Sequence, residues 1–119
     1  MKRRNKYGAV KTTVDGITFD SKREARRYGE LKLLEKVGTI SNLKLQPAFK
    51  LACGPNPVLI RSNGYPNGRQ ATYRADFSYN CSDGHVVEDV KGGAATDTPV
   101  SRLKRAMMEA QHGVKVEIV

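Results

Sequence analysis

Apolar residues recur at threes from Ala25 through Tyr28 and Leu31 to Leu34, the spacing that lines one face of an α-helix. The pattern predicts a helix over 22–37. Ser21 stands where an N-cap belongs, and Gly38 sits just past the end, where a left-handed residue closes a helix at no steric cost. Upstream, Val14-Asp15-Gly16-Ile17-Thr18-Phe19 reads as a short hairpin or extended lead-in that turns at Asp-Gly. Downstream, strands are expected near 48–52 and 58–61, separated by Cys53-Gly54-Pro55-Asn56-Pro57 and followed by a turn-rich loop over 62–68. The stretches 72–79 and 85–91 then form a hairpin about Ser82-Asp83-Gly84. A loop running from Cys81 to Gly84 sets Asn80 against His85 and, in the same register, Asp76 against Asp89. A second helix starts at Thr98-Pro99, a cap followed by a residue whose missing N–H costs nothing there, and ends near His112 with Gly113 as the stop. Residues 114–119 alternate as a terminal strand. Residues 1–12 show no apolar periodicity and read as a flexible basic arm, which leaves 13–119 as a single domain. Helix, strands, hairpin, helix, strand is the order of a mixed α/β domain built on one sheet.

A chain of 119 residues can bury one hydrophobic core but not two. Its net charge of +9 is concentrated at the start, with nine Lys and Arg against three acids between Met1 and Arg27. Such a basic end points to a polyanionic partner, most simply nucleic acid, although basic tails also serve solubility alone. Lys2, Arg3, Arg4, Lys6 and Lys11 on the arm, and Lys22 and Arg23 at the helix start, are the candidate contacts. No stretch approaches the ~18 apolar residues of a membrane span. Charges also recur too closely near the N-terminus for a signal peptide. A cytoplasmic protein with no membrane partner is expected, with Cys53 and Cys81 as reduced, partly buried thiols in no metal-ligand spacing.

The acids carry the candidate chemistry. Asp is disfavoured inside strands, and two acids facing each other across a hairpin destabilise it unless a cation neutralises them. Asp76 and Asp89 form such a pair, and Lys91 shares the face of Asp89. A Mg²⁺ ion would supply further positive charge. The alternative for Asp76 is a solvent-facing polar position. Glu24, three residues after Ser21, completes a Ser-x-x-Glu capping box. It also lies near the middle of the inward stripe, where a carboxylate needs a cation or hydrogen bonds. Capping, a metal-site role and a surface salt bridge are all open to it. Glu88 points to the other face of a regular strand, so it is a secondary candidate that pairs with a basic residue unless a bulge brings it round. Arg102, Lys104 and Arg105 are either phosphate contacts or a solvated helix face. The loop over 92–97 is expected to be flexible and to border any substrate. It lacks the G-x-x-x-x-G-K-[ST] pattern of a phosphate-binding loop, so nucleotide hydrolysis is not indicated.

Glu24 on the first helix, Asp76 on a middle strand and Asp89-Val90-Lys91 on the next resemble the PD-(D/E)XK nuclease superfamily. Four phrases carry the likeness: Phe19-Asp20-Ser21-Lys22-Arg23-Glu24-Ala25, Leu43-Lys44-Leu45-Gln46-Pro47, Tyr73-Arg74-Ala75-Asp76-Phe77 and Val87-Glu88-Asp89-Val90-Lys91-Gly92. Within the superfamily the chain looks most like small phage-encoded endonucleases related to Holliday-junction-resolving enzymes. The resemblance implies a restriction-endonuclease-like α-β-β-β-α-β core, one central mixed sheet flanked by helices. It implies a homodimeric, metal-dependent endonuclease that hydrolyses DNA phosphodiester bonds, selective for branched DNA. Phage recombination or DNA processing in the host-cell cytoplasm would be its setting. Asp76 and Asp89 would ligate one or two Mg²⁺ or Mn²⁺ ions, with the Val90 carbonyl as an extra ligand and Glu24 reaching the metal directly or through water. Lys91 would orient or deprotonate the attacking water, or stabilise charge on the phosphate. Two departures stand out. Ala75, not Pro, precedes Asp76, and Asp rather than the commoner Glu occupies position 89. A nuclease for nicked, single-stranded or site-specific duplex DNA is one alternative, and a non-catalytic DNA-binding protein on a degenerate nuclease fold is another. The metal reading requires the carboxylates of Glu24, Asp76 and Asp89 to gather within about one coordination sphere.

Overall fold

A computed structural model describes residues 11–91 and 97–119. Lys2, Arg3, Arg4 and Lys6 of the arm, and 92–96 of the loop before the second helix, lie outside the described residues. The chain opens with β1 (Thr12–Val14) paired antiparallel to β2 (Ile17–Phe19). Thr12 therefore belongs to a strand and not to the basic arm. Asp15 and Gly16 turn between them with φ of 52° and 75°, the two positive values that a tight hairpin turn needs. Helix α1 (Lys22–Lys36) begins where Ser21 Oγ accepts the Glu24 N–H at 3.1 Å. Its stripe Ala25, Tyr28 and Leu31 is buried with Phe19, Ile40, Phe77 and Tyr79 in one core.

Next comes β3 (Ser41–Leu45), a strand that the hydrophobic pattern does not announce. Then follow β4 (Ala48–Lys50), β5 (Ala52–Cys53), β6 (Asn56–Pro57), β7 (Leu59–Ser62), β8 (Tyr65–Gln70) and β9 (Thr72–Arg74). Most of the expected 62–68 loop is thus strand, with only Asn63-Gly64 left as the turn between β7 and β8. The chain returns as β10 (Phe77–Cys81) and β11 (Gly84–Asp89), then α2 (Pro99–His112) and β12 (Val116–Ile118). Thr98 Oγ1 accepts the Ser101 N–H at the start of α2, and Gly113 ends it with φ 69°. No helix of the described residues is long and apolar enough to cross a membrane.

The fold is mixed α/β. Its central sheet has the order β12-β11-β10-β3, with β3, β10 and β11 antiparallel and β12 parallel to β11. Asn80 pairs with His85 and Phe77 with Glu88, the expected register, although Cys81 and Gly84 also pair, so the turn is Ser82-Asp83 alone. Side chains alternate along β11, so Val86 and Glu88 face the α1 core while Val87 joins Met108 of α2 in a second core.

The expected 72–79 strand is not continuous. It breaks at Ala75-Asp76, because β9 pairs with β4 in a separate small sheet while β10 pairs with β11 and β3. Tyr73 and Ala75 therefore belong to the α2-side core, and Phe77 and Tyr79 to the α1-side core. Cys53 is exposed, contrary to its expected burial, and Cys81 is half-buried; both are free thiols.

Candidate active site

The break between β9 and β10 places Asp76. Its N–H donates to the Glu88 carbonyl at 3.1 Å and its carbonyl accepts the Gln46 N–H at 2.9 Å. One carboxylate oxygen accepts the Val90 N–H at 2.7 Å. The regular β10–β11 ladder ends at Phe77–Glu88, and the Asp76 N–H turns to the carbonyl of that same Glu88; this irregularity leaves the Asp76 carboxyl in hydrogen-bonding reach of the Asp89 carboxyl. Asp89 is 5% exposed and accepts a hydrogen bond from the Tyr73 hydroxyl. Lys91 Nζ lies 3.4 Å from Asp89 Oδ2 and donates to Ser101 Oγ of α2 at 3.2 Å. Arg105 Nη1 donates to the same Ser101 oxygen at 2.7 Å.

Burial, and then the neighbouring Asp89, push the Asp76 carboxyl up to about 8 against the opposing pull of the Val90 N–H. Glu24 is 7% exposed. Burial raises its carboxyl first, the charges of Asp20 and Asp89 add to that, and a hydrogen bond from the Asp20 N–H works the other way. Neither Asp76 nor Glu24 has an ion-pair partner among the described residues. Among the described residues, Lys91 is thus the one cation that pairs with Glu24, Asp76 or Asp89, in a chain that carries a large positive excess. Two adjoining carboxyl groups, one of them held protonated near neutral pH by burial and its neighbour, suit a hard divalent cation such as Mg²⁺, which takes oxygen ligands and would let both ionise.

The three expected carboxylate ligands do not form one cluster. Among the described residues no three His, Cys, Asp or Glu side chains are placed to hold one metal ion together. The expectation that Glu24, Asp76 and Asp89 gather in one coordination sphere is corrected accordingly. Each carboxylate is already held by the protein: Glu24 at the start of its own helix, Asp76 on Val90, and Asp89 on Tyr73 and Lys91.

Glu88 is fully buried on the opposite face of β11. Arg27 grips it with both prongs, Nε to Oε1 at 2.8 Å and Nη2 to Oε2 at 2.6 Å, and the Tyr79 hydroxyl donates to it as well. Burial and the bond to Glu88 push Tyr79 up to about 12. This is a structural ion pair that clamps α1 to the sheet. Of the basic candidates, Lys11, Lys22, Arg23 and Arg102 are exposed. Lys104 Nζ donates to the Thr72 carbonyl at 3.0 Å, and Arg105 Nη2 to Asp97 Oδ1 at 2.5 Å, so both are engaged within the fold. Tyr73, Ser101 and Arg27 are participants that sequence reasoning did not identify. Tyr73 reaches Asp89 because the expected 72–79 strand is broken, and the other two meet their partners only through tertiary contacts.

The sequence pattern of one protein family, described as Protein of unknown function (DUF1064), matches residues 4–118. The chain belongs to the DUF1064 family. No curated protein and no solved structure matches it. The matched span takes in both helices, the central sheet and Glu24, Asp76, Asp89 and Lys91, so the candidate site lies within the DUF1064 region itself.

Proposed function

We propose that this chain is a metal-dependent endonuclease that hydrolyses DNA phosphodiester bonds, selective for branched DNA and acting as a homodimer. The observation that carries the reading is the meeting of Asp76 and buried Asp89, with Lys91 Nζ 3.4 Å from the latter. The topology supports it. Helix α1, the antiparallel strands β3, β10 and β11, then α2 and parallel β12 follow the α-β-β-β-α-β order of a restriction-endonuclease-like core, with β4 to β9 as an excursion between β3 and β10.

Asp76 and Asp89 would hold one or two Mg²⁺ or Mn²⁺ ions, with the Val90 carbonyl as a further ligand and Glu24 reaching the metal through water. A bound ion would polarise the phosphate and lower the pKa of its water. The chain's own residues do the rest. The Tyr73 hydroxyl holds the Asp89 carboxylate in one orientation. Lys91 has three donors, of which Asp89 and Ser101 engage two, leaving the third for the attacking water or the phosphate oxygen where charge develops. Exposed Lys22 and Arg23 at the start of α1 offer phosphate contacts.

A second reading, a non-catalytic DNA-binding protein on a degenerate nuclease fold, is favoured by one observation, the failure of three ligands to gather. One experiment separates the two. Purified protein is incubated with a labelled four-way junction or the matched duplex, in Mg²⁺ or in EDTA. Metal-dependent cutting that is lost in Asp89→Asn and Lys91→Ala, with binding retained, is the expected result. Variants that cut as well as wild type would sink the site, and binding without cutting of any DNA form would favour the second reading.

A further inference from the structure

No Asp or Glu occurs between Glu35 and Asp76, a stretch that carries Lys36, Lys44, Lys50, Arg61, Arg69 and Arg74. Its outermost part is the β7–β8 hairpin, which forms a two-stranded sheet of its own. Residues 59–67 are all exposed, Ile60 at 53% and Tyr65 at 48%. A lone ribbon without a buried face is marginal in water. This one is braced at its base. The Val58 N–H donates to the Leu51 carbonyl at 3.1 Å, the Ala71 N–H to the Val58 carbonyl at 2.7 Å, and Gln70 Nε2 to the Leu51 carbonyl at 3.1 Å. Near the far end, the Arg69 guanidinium sits over the exposed Tyr65 ring, 5.2 Å from its centroid. Arg61 is exposed at the irregularity between Ile60 and Ser62.

We propose that the β7–β8 ribbon enters the major groove of B-form duplex DNA beside the bond that the Asp76/Asp89 site addresses. The proposal rests on the nuclease reading and adds the element that grips the substrate. Three observations converge on it. The first is charge: the ribbon carries Arg61 and Arg69 and no acid, so a polyanion meets no repulsion along it. The second is shape. A major groove about 12 Å wide admits a two-stranded ribbon, whereas a minor groove of about 6 Å does not. A-form RNA, with its deep and narrow major groove, excludes one as well. Stacking on Tyr65 also holds the planar Arg69 fork outward, ready for a phosphate or a guanine edge. The third is placement. Strand β8 leads through Ala71 and β9 to Asp76, six residues beyond Gln70, a span of at most about 20 Å of extended chain. That is roughly six base pairs at about 3.4 Å each, so the ribbon base and the acids fit on one arm of a duplex.

The test uses the full chain with Arg61→Ala and Arg69→Ala combined. Binding is followed by fluorescence anisotropy in EDTA, so that no cutting intervenes, on a 20-base-pair DNA duplex (about two helical turns) and on an RNA duplex of the same sequence. Lys36→Ala with Lys44→Ala removes equal charge from α1 and β3 and serves as the control. Two lost phosphate contacts flatten the slope of log K against log salt by about 2 and weaken DNA binding roughly 10- to 60-fold at about 0.1 M salt. RNA binding and the control are expected to change less than about threefold on the same counterion scale. Melting temperature and far-UV circular dichroism should match wild type, because both side chains are exposed. Equal loss in the control, equal loss on RNA, or no loss at all overturns the proposal. So does a change from dimer to monomer in sedimentation, which would make the ribbon a contact between copies. Ribbon-dependent binding in a protein that never cuts would keep this inference and refute the nuclease. Metal-dependent cutting with wild-type binding in the ribbon variant would do the reverse.

Discussion

Replacing Asp76 by Asn preserves the side chain's shape and an oxygen for the Val90 N–H, and removes the ionisable group beside Asp89. The carboxyl is raised from an ordinary 3.8 to about 8, chiefly by burial. A folded-state value above the unfolded one means that the folded protein binds more protons between the two. Its contribution to stability is complete below about pH 4 and is lost as pH rises through about 8. At pH 7 the relevant difference is 7 − 3.8, about three units, which is about 4 kcal/mol at about 1.36 kcal/mol per unit. Asp76 is only partly buried, and solvent screening reduces the figure to about 2 kcal/mol. Denaturant unfolding of both proteins in EDTA, from pH 4 to 8.5, measures it. The two should be equally stable near pH 4, with Asp76→Asn ahead by about 2 kcal/mol at pH 7, or roughly 8 °C in melting temperature. Mg²⁺ should close the gap by stabilising wild type alone. The same substitution should abolish metal-dependent cutting, so the variant is the sturdier protein and the dead enzyme. Parallel pH profiles would show that Asp76 is an ordinary solvated carboxylate, and the electrostatic case for the site would go with it.

Arg27→Ala leaves Glu88 buried without its cation and should cost about 3–5 kcal/mol in denaturant unfolding, whereas Arg27→Met combined with Glu88→Leu should cost much less. Gly68→Ala places a Cβ 2.8 Å from that of Leu59 at a φ of 96°. It should destabilise the ribbon by about 1–3 kcal/mol, read as faster amide exchange in β7 and β8 with the central sheet unchanged.

Local signals made much of the fold legible. Both helices start and stop where their caps predict, at Ser21 and Gly38, and at Thr98-Pro99 and Gly113, because capping is chemistry between near neighbours. Alternation and the turn gave the Asn80–His85 register, which holds as far as Phe77–Glu88; beyond it Asp76 meets Asp89 through an irregularity that alternation does not contain. Strand β3 escaped notice because Asn42, at φ 54°, breaks the parity between Ile40 and Leu43. Strand β8 was hidden by Pro66, Asn67 and Gly68, turn formers that a ribbon exposed on both faces tolerates. The break at Ala75-Asp76 arises from β4, a partner almost thirty residues upstream, and no window around Asp76 contains it. Glu88 was set on the correct face by parity, but its clamp comes from Arg27, 61 residues away.

Glu88 and Asp89 are neighbours in sequence and strangers in space, one serving architecture and the other facing Lys91. Insertion or deletion of a single residue between Gly84 and Glu88 would exchange their faces, turning Asp89 and Lys91 together toward α1 and pulling Glu88 away from Arg27. Strand β11 can therefore vary in composition but not in length. The Ser82-Asp83 turn is where a residue gained or lost need not disturb the pairing of Phe77 with Glu88.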